Sequence, residues 1–137
     1  MLQSNQGNTV LNPQDMNAAF AAAFNSGQIE NLLALYEPDA VLIDHNSNEM
    51  RGTEAIRQAL EQLLQIKGTM ISTNIYCILY GDLALLRAHF VIHGTGPDGR
   101  SSQFDGHTSE IVRKQPNGGW LYIVDHPFGA DPLKNDQ

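Results

Sequence analysis

The residues of this sequence that could carry chemistry are carboxylates and imidazoles at the ends of short apolar runs. They fall into three groups: Asp44 with His45, Asp105 with His107 and Ser109, and Asp125 with His126. A carboxylate or an imidazole can act as a general acid or base without a cofactor when a dry pocket shifts its pKa toward neutrality. We therefore take Asp44, His107 and Asp125 as candidate catalytic residues for proton transfer.

Each candidate also has a purely structural interpretation. Asp44 precedes a polar run over 45–48 and is suited to cap a turn. His107 is equally explained as a hydrogen-bonded residue within a sheet. Asp125 precedes His126 and Pro127 and could anchor a C-terminal turn by accepting hydrogen bonds from backbone amides. The sequence leaves these alternatives open.

The five histidines raise the question of a metal site. His89 and His93 are close in sequence and fall on one predicted strand. Residues four apart on a strand share a face but lie about 13 Å apart, too far for one ion. The single cysteine, Cys77, lies in an apolar run, so neither an intrachain disulfide nor a cysteine zinc cluster can form. We expect no metal and no cofactor.

The composition is that of one folded domain. The chain has 137 residues, of which 42% are hydrophobic and 17% charged. Eight basic against 15 acidic residues give a net charge of −7, which argues against nucleic acid or an anionic membrane as partner. No apolar run approaches the roughly 20 residues that span a bilayer. We expect a cytoplasmic protein with one domain over 13–130 and flexible ends over 1–12 and 131–137.

The spacing of apolar residues changes once along the chain, from a helical period to a strand period. The first half predicts helices over 13–26, 29–36 and 53–67, and a short strand over 40–44. The second half predicts strands over 70–80, 83–93, 102–114 and 120–126. The order α-α-β-α-β-β-β-β predicts an α+β domain in which helices cover one face of a curved, mostly antiparallel sheet.

The predicted strand over 83–93 indicates which face of the sheet meets the helices. Its even positions are all apolar: Ala84, Leu86, Ala88, Phe90 and Ile92. Arg87 and His89 occupy odd positions, so the two-residue period of a strand places them on the outer face. We expect that outer face to carry surface or interface residues.

Five aromatic residues are candidates to line a ligand pocket: Phe20, Phe24, Tyr36, Phe90 and Trp120. An aromatic lining favours a flat, uncharged ligand, although the same side chains are equally suited to a plain core. Trp120 follows a turn over 116–119 and is expected to be buried at the start of the last strand.

Five short phrases carry a family resemblance. They lie at 18–20 with Gly27, and at 35–41, 51–56, 81–84 and 115–120. In this order they resemble the nuclear transport factor 2-like superfamily, specifically its SnoaL-like, ketosteroid isomerase-like branch, over about residues 13–130. The ending Asp-His-Pro-Phe-Gly at 125–129 resembles a small bacterial subgroup of that branch.

The resemblance implies a conical α+β barrel, with a bent sheet wrapped around the third helix and a pocket at the wide end. It also implies a homodimer joined through the outer face of the sheet. Ketosteroid isomerases carry a base on the first strand, for which Asp44 is the nearest positional match; their second acid has no assignable counterpart. If Asp44 faces an apolar cavity walled by Phe20, Phe24 and Tyr36, desolvation should raise its pKa.

Two functions are compatible with these residues, because members of the family either catalyse reactions or only bind. The first is a domain that binds a small hydrophobic metabolite, as a cofactor-independent isomerase, cyclase or hydrolase with Asp44 or His107 as base. The second is a non-catalytic ligand-binding or dimeric interaction module. Buried carboxylates with open access favour the enzyme, and a pocket filled by its own side chains favours the module.

Overall fold

The structure, a computed structural model, describes residues 9–95 and 98–132. Most of the two segments expected to be flexible, 1–12 and 131–137, lies outside the described residues. Val10 lies inside them: it is buried, and its carbonyl accepts a hydrogen bond from the backbone nitrogen of Trp120 at 2.9 Å. The packed part of the chain therefore begins before residue 13.

Three α-helices follow a short 3-10 turn, Pro13–Asp15. They are α1 (Met16–Ser26), α2 (Ile29–Leu33) and α3 (Thr53–Leu64). α1 ends at Gly27, whose φ of 72° lies in the left-handed region that favours glycine. None of the described helices is long and apolar enough to cross a membrane.

The strands form one curved, unclosed sheet. They are β1 (Tyr36–Ile43), β2 (Glu49–Arg51), β3 (Gly68–Tyr80), β4 (Leu83–Thr95), β5 (Ser101–His107), β6 (Ser109–Lys114) and β7 (Trp120–His126). Their order is β2-β1-β7-β6-β4-β3, and β5 pairs with β4 beyond the end of β6. β1 and β7 are parallel, and the other pairings are antiparallel. The predicted α+β fold class is confirmed.

The strands differ from the sequence-based prediction in three places. β2 was not predicted, and it pairs with the end of β1. The segment predicted as one strand over 102–114 is divided at Thr108, where the backbone nitrogen donates to the Ala88 carbonyl and Oγ1 accepts from the Ala88 nitrogen. This break lets the long strand β4 pair with β5 along its second half and with β6 along its first. β1 begins at Tyr36, where a helix was predicted, because Tyr36 pairs with Tyr122 of β7.

The helices pack on one face of the sheet, α1 against β3 and α3 against β1 and β2. The even positions of β4 from Ala84 to Ile92 are all buried, as their apolar character predicts. Trp120 is also buried at the start of β7, with 4% of its surface exposed. The inner face of the sheet is therefore the face on which a pocket can form.

Candidate functional site

A cavity of about 330 Å³ lies between the helices and the inner face of the sheet. This volume falls within the range of small-molecule sites, about 300–1,000 Å³. Apolar side chains supply most of its wall, from the following residues: Phe20, Leu42, Ile43, Met50, Ala59, Leu60, Leu63, Ile66, Met70, Phe90, Phe104, Pro127 and Phe128. Phe90 packs against Phe104 and Phe128 with ring centroids 6.4 and 5.7 Å apart. Gly106 permits this packing, because a Cβ there would lie within 2.8 Å of both the Phe90 and Phe128 rings.

Two buried carboxyl groups lie side by side in this apolar wall. Glu110 on β6 and Asp125 on β7 are direct cross-strand partners, and both line the cavity. Their exposed fractions are 2% and 3%. Directly opposed residues of antiparallel strands point to the same face, with Cβ atoms about 4.5–5.5 Å apart. The pairing of β6 with β7 therefore brings two acids to one place.

The hydrogen bonds of Glu110 all involve one of its two oxygens. Oε1 accepts from Asn17 Nδ2 at 3.1 Å and from Thr108 Oγ1 at 2.8 Å. The Tyr122 hydroxyl donates to Asn17 Oδ1 at 2.7 Å and so orients that amide. Oε2 accepts no hydrogen bond from the described residues. Because Arg87 Nε alone is both fully buried and without a partner among these residues, part of the Oε2 surface must be exposed. Oε2 is therefore the oxygen that is open to the cavity.

Asp125 is held in a similar way. The hydroxyl of Tyr36 donates a hydrogen bond to Oδ2, and Oδ1 has no partner among the described residues. Tyr36 is itself buried, and its ring lies 5.1 Å from that of Tyr122. One oxygen of each acid is thus hydrogen-bonded within the protein, and the other has no partner among the described residues.

Burial shifts the pKa values of both acids upward. Burial, and then the charge of Asp125, raise the pKa of Glu110 to about 8, although the hydrogen bonds from Thr108 and Asn17 act in the opposite direction. Burial raises the pKa of Asp125 to about 6, and the hydrogen bond from Tyr36 limits that rise. At neutral pH the coupled pair therefore holds one proton. The cavity then presents a carboxylic acid beside a carboxylate.

Asp44 lies at the edge of the same cavity but in a different environment. Its Oδ1 accepts hydrogen bonds from the backbone nitrogens of Asn46 at 2.8 Å and Asn48 at 2.9 Å. The amide of Asn48, more than that of Asn46, stabilises the anion and lowers the pKa of Asp44. The expectation of a raised pKa is therefore wrong, because this partly exposed carboxylate caps a turn.

His107 lies on the other side of the sheet. It does not line the cavity, and its ring stacks on that of His89 with centroids 4.5 Å apart. Arg87 Nη2 lies 3.4 Å from His107 Nδ1. The structure thus brings Asp44 and Asp125 to the cavity and separates His107 from both.

Of the five aromatic residues predicted to line a pocket, only some line this cavity. Phe20 and Phe90 line the cavity, whereas Phe24, Tyr36 and Trp120 are buried outside its wall. The expected wall of Phe20, Phe24 and Tyr36 is thus correct only for Phe20, since Tyr36 reaches Asp125 instead.

Glu110 is not among the candidate residues predicted from the sequence. The alternation in β6 places Glu110 on the same face as Val112, which is fully buried. The sequence contains this alternation, but Ile111 on the opposite face of β6 is apolar as well, so either face could be the buried one. The sequence therefore did not show which face of β6 looks inward.

Comparisons with known proteins agree with this architecture. The family model described as the SnoaL-like domain matches residues 17–116, which include Glu110 but end before β7 and Asp125. None of the curated proteins is similar enough to count as a match.

Similar solved structures include three with the same fold. A nuclear transport factor 2-like superfamily protein from Salmonella enterica serovar Typhimurium is 15% identical, with a TM-score of 0.73 over 90% of this chain and 92% of that chain. A ketosteroid isomerase-like protein from Erwinia carotovora atroseptica is 18% identical, with a TM-score of 0.72 over 82% and 89%. A nuclear transport factor 2-like protein with a cystatin-like fold from Novosphingobium aromaticivorans is also 18% identical, with a TM-score of 0.70 over 82% and 76%. The chain therefore belongs to the SnoaL-like domain family, and its fold is similar to that of the nuclear transport factor 2-like structures.

Proposed function

We propose that the cavity binds a small, largely apolar molecule with a neutral oxygen such as a carbonyl, and that Glu110 and Asp125 transfer protons on it. The observation that carries this proposal is the pair of buried carboxyl groups, each with one free oxygen, in an otherwise apolar cavity. A SnoaL-like fold is consistent with small-molecule binding.

The two acids suit opposite halves of one proton transfer. Asp125 Oδ1, as the carboxylate, can remove a proton from the carbon next to a carbonyl group. Glu110 Oε2, as the neutral acid, can donate to the carbonyl oxygen as negative charge develops there. If the ketone carries a neighbouring C=C bond, Asp125 could return its proton to a different carbon while the enol O–H proton goes back to Glu110, which would complete an isomerisation. Protonation of an oxygen by Glu110 would likewise assist a cyclisation or a hydrolysis.

The rest of the wall supports a neutral, flat ligand. The charge of Asp125 disfavours an anion, because few screening groups lie in an apolar cavity. The rings of Phe90, Phe104 and Phe128 offer aromatic faces and edges against which a ring can stack. Binding without turnover is the alternative function, since the same two acids would hold a carbonyl or hydroxyl group in place.

The test is deuterium exchange at the acidic C–H positions of 2-tetralone, an apolar bicyclic ketone, followed by NMR in D₂O. We expect wild-type protein to accelerate exchange. Asp125→Asn should abolish the acceleration and Glu110→Gln should reduce it by about 10²-fold or more, the usual contribution of a positioned acid or base. Asp44→Asn, at the edge of the same cavity, and His107→Gln, on the outer face, are the controls and should retain it.

Each other outcome has a definite meaning. Binding of 2-tetralone without exchange, seen as a ligand-dependent rise in Tm, would support the non-catalytic module. Exchange that survives Asp125→Asn but is lost in Asp44→Asn would make Asp44 the base. Absence of both binding and exchange would contradict the proposed carbonyl ligand.

We also propose that two copies of the chain join through the outer face of the sheet. Several large apolar side chains of β3 and β4 are exposed on this face: Ile71, Tyr76, Ile78, Tyr80 and Leu85. Of these, Ile71 and Ile78 are register partners of the outward-facing Val91 and Leu85. Monomeric proteins rarely expose a large contiguous apolar patch, so a second copy covering this face is favoured.

A further inference from the structure

A second group of titratable side chains lies on the outer face of the sheet, opposite the cavity. His89 on β4 and His107 on β5 are direct cross-strand partners, and Asp105 precedes His107 by two residues and so shares its face. One potential ligand atom from each of the three residues lies within 4.8 Å of the others. We call these residues the outer-face cluster. The proton transfer proposed for the cavity does not use them.

The geometry of the outer-face cluster gathers its donor atoms at one place. His89 Nε2 lies 2.7 Å from Asp105 Oδ2, a hydrogen bond in which a proton occupies the space between the two atoms. The rings of His89 and His107 are stacked with an interplanar angle of 12°. Two parallel imidazoles and a carboxylate are thus directed to a common region above two paired strands.

This set of donors has a definite metal preference. Two histidines and one carboxylate are among the usual ligand sets of zinc sites that keep an open position. Imidazole nitrogen favours first-row transition metals, whereas Mg²⁺ and Ca²⁺ require mainly oxygen ligands. We propose that His89, Asp105 and His107 form a Zn²⁺ site, with a fourth position open to water or another ligand. Binding would displace the proton shared by His89 and Asp105.

The site is supported by the backbone, and in the single chain it is accessible. The side chains of His89 and Asp105 are 37% and 55% exposed there, so an ion can reach them from solvent before a second copy covers the outer face. The His107 backbone nitrogen donates to Asp131 Oδ1 at 2.7 Å, and its carbonyl accepts from the Ala130 nitrogen at 3.0 Å. The end of β5 is thereby held against the C-terminal segment. The ligands therefore stand on strands whose relative positions are set before any ion binds.

Arg87 is the neighbouring group that opposes metal binding. Its Nη2 lies 3.4 Å from His107 Nδ1, and its buried Nε has no hydrogen-bond partner among the described residues. A guanidinium at this distance competes for the imidazole and repels a cation. Removing the charge of Arg87 should therefore strengthen Zn²⁺ binding, which distinguishes this site from non-specific association with an acidic surface.

The test is isothermal titration calorimetry of ZnCl₂ into the full chain at neutral pH. We expect about one Zn²⁺ per chain. His89→Ala and His107→Ala should each weaken binding by about tenfold or more, because loss even of an outer-shell partner costs that much. His93→Ala is the matched control, since His93 lies on the same strand and the same face but outside the cluster, and its affinity should equal that of the wild type. Arg87→Met should bind more tightly.

Two further measurements keep the result interpretable. Circular dichroism melts show whether each variant is folded, and His89→Gln and His107→Gln replace any alanine variant that is not. Co²⁺ as a probe should give the visible absorption of a low-symmetry site in the wild type and lose it in the histidine variants. Absence of saturable Zn²⁺ binding would overturn the proposal, and so would binding that persists in both histidine variants. Neither result bears on the cavity, because none of these residues lines it.

Discussion

Replacing Glu110 with glutamine is expected to stabilise the protein at alkaline pH and to change its stability little at acid pH. Glutamine keeps the oxygen that accepts hydrogen bonds from Asn17 and Thr108, and it supplies N–H donors where the neutral acid has O–H. The variant therefore preserves the contacts of the protonated side chain. What it removes is the possibility of a buried charge.

The sign and the size of this stabilisation follow from the pKa of Glu110 in the folded protein and in the unfolded chain. Its pKa is about 8 in the folded protein and 4.5 in the unfolded chain, so between these values the folded state retains a proton that the unfolded state has lost. Stability then falls as pH rises, by about 1.4 kcal/mol for each pH unit. The full cost is roughly 3–5 kcal/mol, a large part of the 5–15 kcal/mol that stabilises a typical domain. This cost is absent at pH values below the pKa of the unfolded chain and complete at pH values above the pKa of the folded protein.

The measurement is urea denaturation of wild type and Glu110→Gln at several pH values from about 5 to about 9. The difference in unfolding free energy should grow with pH up to about 8, the pKa of Glu110 in the folded protein, and then level off. Glu37→Gln is a control of opposite sign, because the hydrogen bond from Arg113 lowers the pKa of Glu37. The stability that Glu37 contributes is present above its unfolded pKa and lost as pH falls through the folded one, so Glu37→Gln should destabilise at neutral pH. Parallel curves for wild type and Glu110→Gln would contradict the raised pKa of Glu110.

Four other predictions follow from the structure. Asp44→Asn should lower Tm at neutral pH, and the effect should vanish as pH falls below 3.8, because hydrogen bonds lower the pKa of this carboxylate; a rise in Tm would contradict the turn cap. Tyr36→Phe should raise the pKa of Asp125 above about 6 by removing a donor, as measured by NMR of the carboxyl carbon, and a fall would count against the hydrogen bond. Trp120→Ala should cost about 3–5 kcal/mol in urea denaturation, since truncation of a buried aromatic leaves a cavity, and an unchanged midpoint would be inconsistent with its burial. Light scattering at micromolar concentration should give a particle of twice the chain mass, and Ile78→Lys should halve it, because a charge would be placed in the proposed interface; a monomeric wild type would disprove the dimer.

Local features of the fold could be predicted from the sequence because they depend on nearby residues. The alternation in β4 correctly separated the buried face, with Ala88 and Phe90, from the outer face with His89. The bounds of β7, Trp120–His126, also follow from the turn before it and the apolar alternation within it. The two-residue period of a strand shows only how the residues of that strand are oriented relative to one another.

Only one of the two buried acids of the candidate site could be predicted, because the environment of each acid depends on residues that are distant in the sequence. Asp125 was identified because it ends an apolar run, as Asp44 does. Yet burial raises the pKa of Asp125, whereas backbone amides lower that of Asp44. Two acids in similar local sequence thus differ in chemistry, because desolvation depends on which distant residues cover each of them.

Most of the helices and strands, and the relative faces within β4, therefore follow from the sequence, although β2 and the break at Thr108 do not. Which strands lie side by side depends on the complete fold. That pairing placed Glu110 against Asp125 in the cavity, and it placed His89 beside His107 rather than with His93, which lies along its own strand. The physical reason is distance: neighbouring strands lie about 4.8 Å apart, whereas residues four apart along one strand are about 13 Å apart. Chemistry between side chains in a sheet is set across strands, and the sequence of one strand does not contain that information.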